Sequence, residues 1–206
     1  MGLFVISGVS CAGKTFFLKQ LDDLLVKGQH LKVMVSHTTR ALRTPDEPFR
    51  ESVPPSRFLE ETYAQHIVYN EHHYGITAAQ VEQALARNCT VLVDCTLEGL
   101  QQLQARYPTK GIFLYADPEA LLQRHLERGT PPAERHWRLH SAARELKEAW
   151  ESGSYALFLN NEDALTTLLR IVDFISGTPV SSDPVDPREF AARLQHLEKG
   201  INYHEA

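Results

Sequence analysis

Residues 8 to 15 read Gly8-Val9-Ser10-Cys11-Ala12-Gly13-Lys14-Thr15, placing two glycines, a lysine and a hydroxyl in the spacing G-x-x-x-x-G-K-[ST]. Glycines at those places let the backbone curl until successive N–H groups point at one spot. A helix starting behind them adds its positive end, so the chemistry on offer is a grip on a polyphosphate. In that reading Gly8, Ser10, Gly13, Lys14 and Thr15 cradle the phosphates of a nucleotide, Lys14 reaches the phosphoryl group being transferred, and Thr15 can hold Mg2+. Asp94 follows Val91-Leu92-Val93. A carboxylate at the C-terminal edge of a parallel strand faces phosphates and a hydrated metal ion, and the same position suits a helix N-cap. Arg124, Arg128, Arg135 and Arg138 bracket a glycine- and proline-containing break over 129–133. On a mobile segment their guanidinium groups would neutralise charge that spreads in a transition state; on a fixed helix face they would be solvated. Cys11 lies inside the loop, either packed there or open to oxidation.

Such a loop needs a strand before it and a helix after it. Leu3-Phe4-Val5-Ile6 is the apolar run of a buried parallel strand. From Lys14 onward Phe17, Leu21, Leu24 and Leu25 recur at helical spacing, with Gly28 placed as a left-handed cap. A second strand is expected over 31–35. Four prolines between 41 and 57 exclude a regular element and predict a surface loop, with helix resuming near Ser56. Thr77 is placed to cap a helix reaching Arg87; strand over 90–94, helix over 97–105 and strand over 112–115 follow. Asp117-Pro118 opens a helix to about Arg128, and a longer helix runs over 134–150. A strand over 155–159 and a helix over 165–175 complete the pattern. Strands alternating with helices imply a parallel sheet covered on both faces, an α/β, three-layer fold of the P-loop NTPase kind. Gly, Ser, Pro and Asp over 177–187 predict a linker. Phe190, Leu194 and Leu197 then stripe a terminal helix that must bury on the core or on a second chain.

Composition narrows the partners. The 206 residues are 43% hydrophobic and 23% charged, the make-up of one soluble globular domain with an appendage. Twenty-one Lys plus Arg against 26 Asp plus Glu leave −5, which argues against a sequence-independent grip on nucleic acid. Three cysteines make neither a disulfide framework nor a four-ligand zinc site, and no apolar run spans a bilayer, so the expectation is a cytoplasmic protein with no membrane partner.

Ser36-His37-Thr38-Thr39-Arg40, with Arg43 three residues on, resembles the guanylate kinase family, whose Ser-x-Thr-Thr-Arg-x-x-Arg segment holds the phosphate of the acceptor GMP. The resemblance runs from about residue 3 to 175, including His73-Tyr74-Gly75, the turn after Asp94 and Leu159-Asn160. It implies that Ser36, Arg40, Arg43 and Tyr74, with Asp94, hold the acceptor, that Thr15 and Asp94 attend Mg2+, and that Arg124, Arg135 and Arg138 are catalytic lid residues alongside Lys14. The domain would be 1–176, with a small acceptor subdomain over about 36–76, an arginine lid over about 128–138, and a linker plus helical extension over 177–206 that could form a homodimer.

The departures bear on the acceptor. Thr44-Pro45-Asp46-Glu47-Pro48 stands where the family has Gly-Glu and then an acceptor-contacting Tyr. Ile76 replaces a Ser or Thr, Gln65 falls where a base-reading Glu is expected, and Thr96 replaces the second acid of the Asp-x-Asp strand end. Guanine read without those carboxylates leaves buried donors unpaired, at about 1 to 3 kcal/mol each. The expected activity is ATP-dependent transfer to the phosphate of a small phosphorylated acceptor, with GMP specificity in doubt. A sugar phosphate acceptor is the alternative, because the loop, the Thr-Arg segment and Asn70-Glu71-His72-His73-Tyr74-Gly75 are similar to ribose 1,5-bisphosphate phosphokinases. A third reading is a non-catalytic guanylate kinase-like binding module, which the intact Gly13-Lys14-Thr15 argues against.

Overall fold

The computed structural model describes residues 2–69 and 71–202, and the side chains of 198–202 are not described. Asn70 therefore lies outside the described residues, as do 203–206. The chain divides into two compact units, Met1–Ile6 with Thr15–Gly111 and Ser7–Lys14 with Ile112–Ala206.

In the first unit β1 (Leu3–Gly8) feeds the glycine loop, and α1 (Lys14–Leu21) follows it. The helix is shorter than its apolar spacing suggests. Leu25–Val26 is a strand, β2, paired antiparallel with β3 (Gln29–Val33). Lys27 and Gly28 both take positive φ, 48° and 78°, so Gly28 serves a two-residue hairpin turn rather than a helix cap. The Asp22 carboxylate accepts from Val33 N–H at 2.9 Å and Leu31 N–H donates to Leu24 O, which draws the chain out of the helix. β4 (Ser36–Thr38) is a separate strand, so the run expected over 31–35 ends at Val33. The 41–57 loop contains a strand after all: β5 (Arg50–Ser52) pairs parallel with β4, between Pro48 and Pro54. α2 (Pro55–Glu60), β6 (Tyr63–Tyr69) and β7 (His72–Thr77) follow, giving the order β5-β4-β7-β6. The β6–β7 hairpin is a further element that the sequence reading lacked. Thr77 caps α3 (Ala78–Ala86) through Gln80 N–H. β8 (Thr90–Val93) lies between β1 and β3, parallel to both, and α4 (Leu97–Gln104) packs against β6. Val5, Phe17, Leu21, Val91, Leu92, Val93, Leu100 and Leu103 are fully buried and form this unit's core.

The second unit starts from the glycine loop and resumes with β9 (Thr109–Tyr115), α5 (Pro118–Glu127) and α6 (Pro132–Ser152). β10 (Tyr155–Asn160) lies beside β9, and α7 (Ala164–Ile175) and α8 (Pro187–Asn202) complete it. Its core is Ile112, Leu114, Leu121, Leu139, Leu146, Leu157 and Leu159. Residues 177–186 hold no regular element, yet they are fastened to β10. Phe158 N–H donates to Ser182 Oγ, Asp183 N–H to Phe158 O, and Asn160 N–H to Asp183 Oδ2. The α8 stripe buries Phe190 and Leu194 within this unit, with Leu197 half-buried.

Candidate active site

Gly8 leaves β1 with φ 149°, and a Cβ there would lie 2.1 Å from Leu114 O, so only glycine fits. Val9 N–H donates to that same carbonyl, stapling the loop to β9. Gly13 takes φ 98° and Cys11 φ 62°, the latter unusual for a residue with a side chain. The Lys14 ammonium folds back on Gly8 O and on Val9 O at 3.1 Å. Two predicted arginines meet this loop. Arg124 donates to Cys11 O (3.2 Å) and Asn161 O (2.7 Å), and Arg138 donates to Ser10 Oγ (3.3 Å) while paired with Glu134. Arg135 is buried in the first turns of α6, and Arg128 is exposed at the end of α5. The break between the helices is only 128–131, shorter than the expected lid.

Asn161 and Glu145 join the loop without a signal in the sequence. Asn161 Nδ2 donates to Ala12 O at 2.9 Å. Burial raises the Glu145 carboxyl above its ordinary value, against the pull of Lys14 and Arg144.

The first unit gathers a second set. Arg40 donates to both oxygens of Glu47 (2.8 and 3.0 Å) and, through Nε, to Tyr74 Oη (3.2 Å). Burial alone would raise the Glu47 carboxyl, but Arg43 N–H and the Arg40 guanidinium outweigh it and hold the group below the usual range. Arg43 contributes that backbone N–H, and its side chain is exposed. Ser36 is buried and its hydroxyl donates to His37 O (3.3 Å) and Gly75 O (3.5 Å).

Asp94 does not cap α4, because Thr96 accepts from Gly99 N–H instead. Asp94 Oδ2 pairs with Arg50 Nη2 at 2.6 Å, and the Arg50 guanidinium lies 5.9 Å from the Tyr74 ring centre. Arg50 and Glu47 are thus additions to the predicted set, and a contact spanning 44 positions leaves no local mark in sequence. Gln65 and Ile76 are buried where the base-reading groups were expected. Thr15 and Asp94 supply hard oxygen donors of the kind Mg2+ takes with waters and phosphates. Among the described residues no group of three His, Cys, Asp or Glu forms a metal cage, and none of the helices is long and apolar enough to cross a membrane. Cys11, Cys89 and Cys95 are not joined in disulfides.

A parallel strand running into a glycine loop, with a lysine and arginines drawn onto it, defines an α/β protein of the P-loop class. Residues 1–177 match the family model described as guanylate kinase, and the chain belongs to the guanylate kinase family. It is 33% identical over 135 residues to the guanylate kinase of Yersinia pestis bv. Antiqua (strain Antiqua), covering 60% of this chain and 63% of that relative, under two thirds of its length. To the guanylate kinase of Sodalis glossinidius (strain morsitans) it is 29% identical over 184 residues, covering 84% and 86%. The crystal structure of guanylate kinase from Anaplasma phagocytophilum shares the fold, with TM-score 0.63, 19% identity and 85% of each chain covered.

Proposed function

We propose that the chain transfers the γ-phosphoryl group of ATP to a phosphate oxygen of a small phosphorylated acceptor, giving a diphosphate and ADP. The observation that carries this reading is the intact loop of Gly8, Gly13 and Lys14, with Arg124 and Arg138 already hydrogen-bonded to it. In this reading Gly8, Ser10, Gly13, Lys14 and Thr15 cradle ATP, and Arg40, Arg43 and Tyr74 receive the acceptor phosphate. Lys14, Arg124, Arg135 and Arg138 neutralise charge as it moves to the β–γ bridging oxygen. An acceptor phosphate is already a nucleophile, so positioning and charge neutralisation suffice without a general base. Mg2+, held by Thr15 and Asp94 when bound, would supply charge neutralisation on the ATP phosphates; Asp94 would have to share or release Arg50.

Acceptor choice follows from three positions, buried at 65 and 76 and exposed at 96. Gln65, Ile76 and Thr96 supply no carboxylate, which favours an acceptor other than GMP or a loose preference for it, with a sugar phosphate as the second reading. A screen of ATP consumption against nucleoside monophosphates and phosphorylated sugars decides. GMP turnover far above all others would overturn the acceptor assignment. Lys14→Ala should abolish transfer in a chain that still folds, and near-normal turnover by that variant would overturn its role. No binding of Mg2+-ATP at millimolar concentration would leave the binding-module reading. A homodimer through 177–206 is not required to bury the α8 stripe, since Phe190 and Leu194 are buried in their own chain.

A further inference from the structure

The kinase reading leaves one buried titratable group beside the phosphate loop without a task. His125 follows Leu121 by four residues on the buried face of α5, with 1% of its surface exposed. Its Nδ1 lies 3.1 Å from Thr130 Oγ1 and 3.5 Å from Cys11 Sγ, and its buried Nε2 has no hydrogen-bond partner among the described residues. An unmade hydrogen bond in a dry site is costly, so a ring serving only as filler would be better replaced by leucine.

Both partners of Nδ1 sit at bends. Cys11 is the left-handed residue of the loop, a conformation that a side chain with Cβ keeps only when its surroundings hold it. Thr130 follows Gly129, whose φ of 68° turns α5 toward α6 and so toward Arg135 and Arg138. Arg124, one residue before His125, holds Cys11 by its carbonyl. Consecutive residues of α5 therefore grip the main chain and the side chain of the same strained residue.

We propose that His125 is a positioning residue: through Nδ1 it ties the bend at 129–131 to Cys11, so that loop N–H groups and lid arginines are set together for a polyphosphate. This rests on the reading of the loop as an ATP site. Around the ring stand Arg128, Glu134, Arg135 and Arg138, with Cys11 from the loop. Burial first, and then Arg138 and Arg128, hold the imidazole below its ordinary value, which keeps it neutral near pH 7. In the tautomer with Nε2 protonated, Nδ1 accepts from both the hydroxyl and the thiol.

The test uses the full chain and two replacements. His125→Leu keeps the bulk, while His125→Asn returns a polar atom close to the place of Nδ1. Titration with Mg2+-ATP should show roughly five- to tenfold weaker binding for the leucine variant, the size of one lost buried hydrogen bond, and recovery of most of it by asparagine. Thr130→Val should weaken binding less, and the Leu/Val double variant should be no weaker than leucine alone. With an accepted substrate, KM for ATP should rise while KM for the acceptor moves by less than about twofold. Wild-type affinity in the leucine variant, asparagine as weak as leucine at equal thermal stability, or additive Leu and Val effects would each overturn the proposal. Absence of transfer to any acceptor by a wild-type chain that binds ATP would sink the kinase reading alone, with the titration still deciding this role. Absence of ATP binding would sink both.

Discussion

At single positions the structure leaves Gly8 the least freedom. Its φ of 149° and the 2.1 Å approach of any Cβ to Leu114 O mean that Gly8→Ala must move the loop or β9. We expect a loss of about 3 kcal/mol or more, from clash and backbone strain together, and with it the loss of Mg2+-ATP binding. An unchanged melting temperature would show that the loop is not fastened there. Glu145 makes a second prediction, on pH. Its carboxyl is raised by burial despite Lys14, so the folded chain holds that proton more tightly than the unfolded chain. The stability linked to it is present below the ordinary carboxyl value and is lost as pH rises through the folded one. Glu145→Gln should therefore gain on the wild type between pH 4 and 7, as read by paired thermal melts; an advantage that shrinks with rising pH contradicts this.

At the scale of elements the β6–β7 hairpin sets the next prediction. His66 Nε2 lies 2.8 Å from His73 Nδ1, and Phe58 of α2 lies against both rings, at 5.1 and 5.3 Å. Tyr63 stacks on Phe58 at 4.3 Å, and burial pushes its phenol up to about 12. Burial first, then His73, holds His66 below its ordinary value of 6.5, with Glu98 opposing. A neutral ring is thus favoured by folding, and the linked stability is present above pH 6.5 and is lost as pH falls through the lower folded value. The melting temperature should drop from pH 7 to pH 5, and His66→Gln should flatten that drop; equal slopes would sink the assignment. The hairpin was illegible in sequence because a bulge between Tyr63 and Gln65 buries Ala64 and Gln65 in succession, breaking the period of two. Leu24 and Leu25 misled for the opposite reason, since Leu25 of β2 and Leu24 just before it happen to continue the helical spacing of α1. What could be read was local: the glycine loop between strand and helix, the Thr77 cap and Asp94 at its strand end. Arg50 on Asp94 and His125 on Cys11, 44 and 114 positions apart, are products of tertiary approach, for which a single sequence carries no period.

For the molecule as a whole, a charge of −5 means that anionic substrates are not drawn in by the overall field, so the loop and its arginines must do so locally. Beyond the family match, residues 178–197 bear on that local site through α5. Phe190 packs edge-on to Tyr115 at 6.4 Å, Tyr115 Oη donates to Pro184 O, and Arg193 pairs with Asp117 and Glu119 at the start of α5. The same helix carries Arg124 and His125 five to eight residues further on. Truncating Phe190 to alanine should cost about 3 kcal/mol from the lost burial and the cavity, lowering the melting temperature by roughly 6 to 12 °C for a chain of this size. If α8 braces α5, the variant should also bind Mg2+-ATP more weakly at a temperature where it is fully folded, whereas Leu165→Ala, an exposed change on α7, should alter neither. A melting temperature that falls while ATP affinity stays constant would make α8 a stabilising cover without a part in holding the loop. A wild-type melting temperature that rises with protein concentration would place the stripe on a second chain instead.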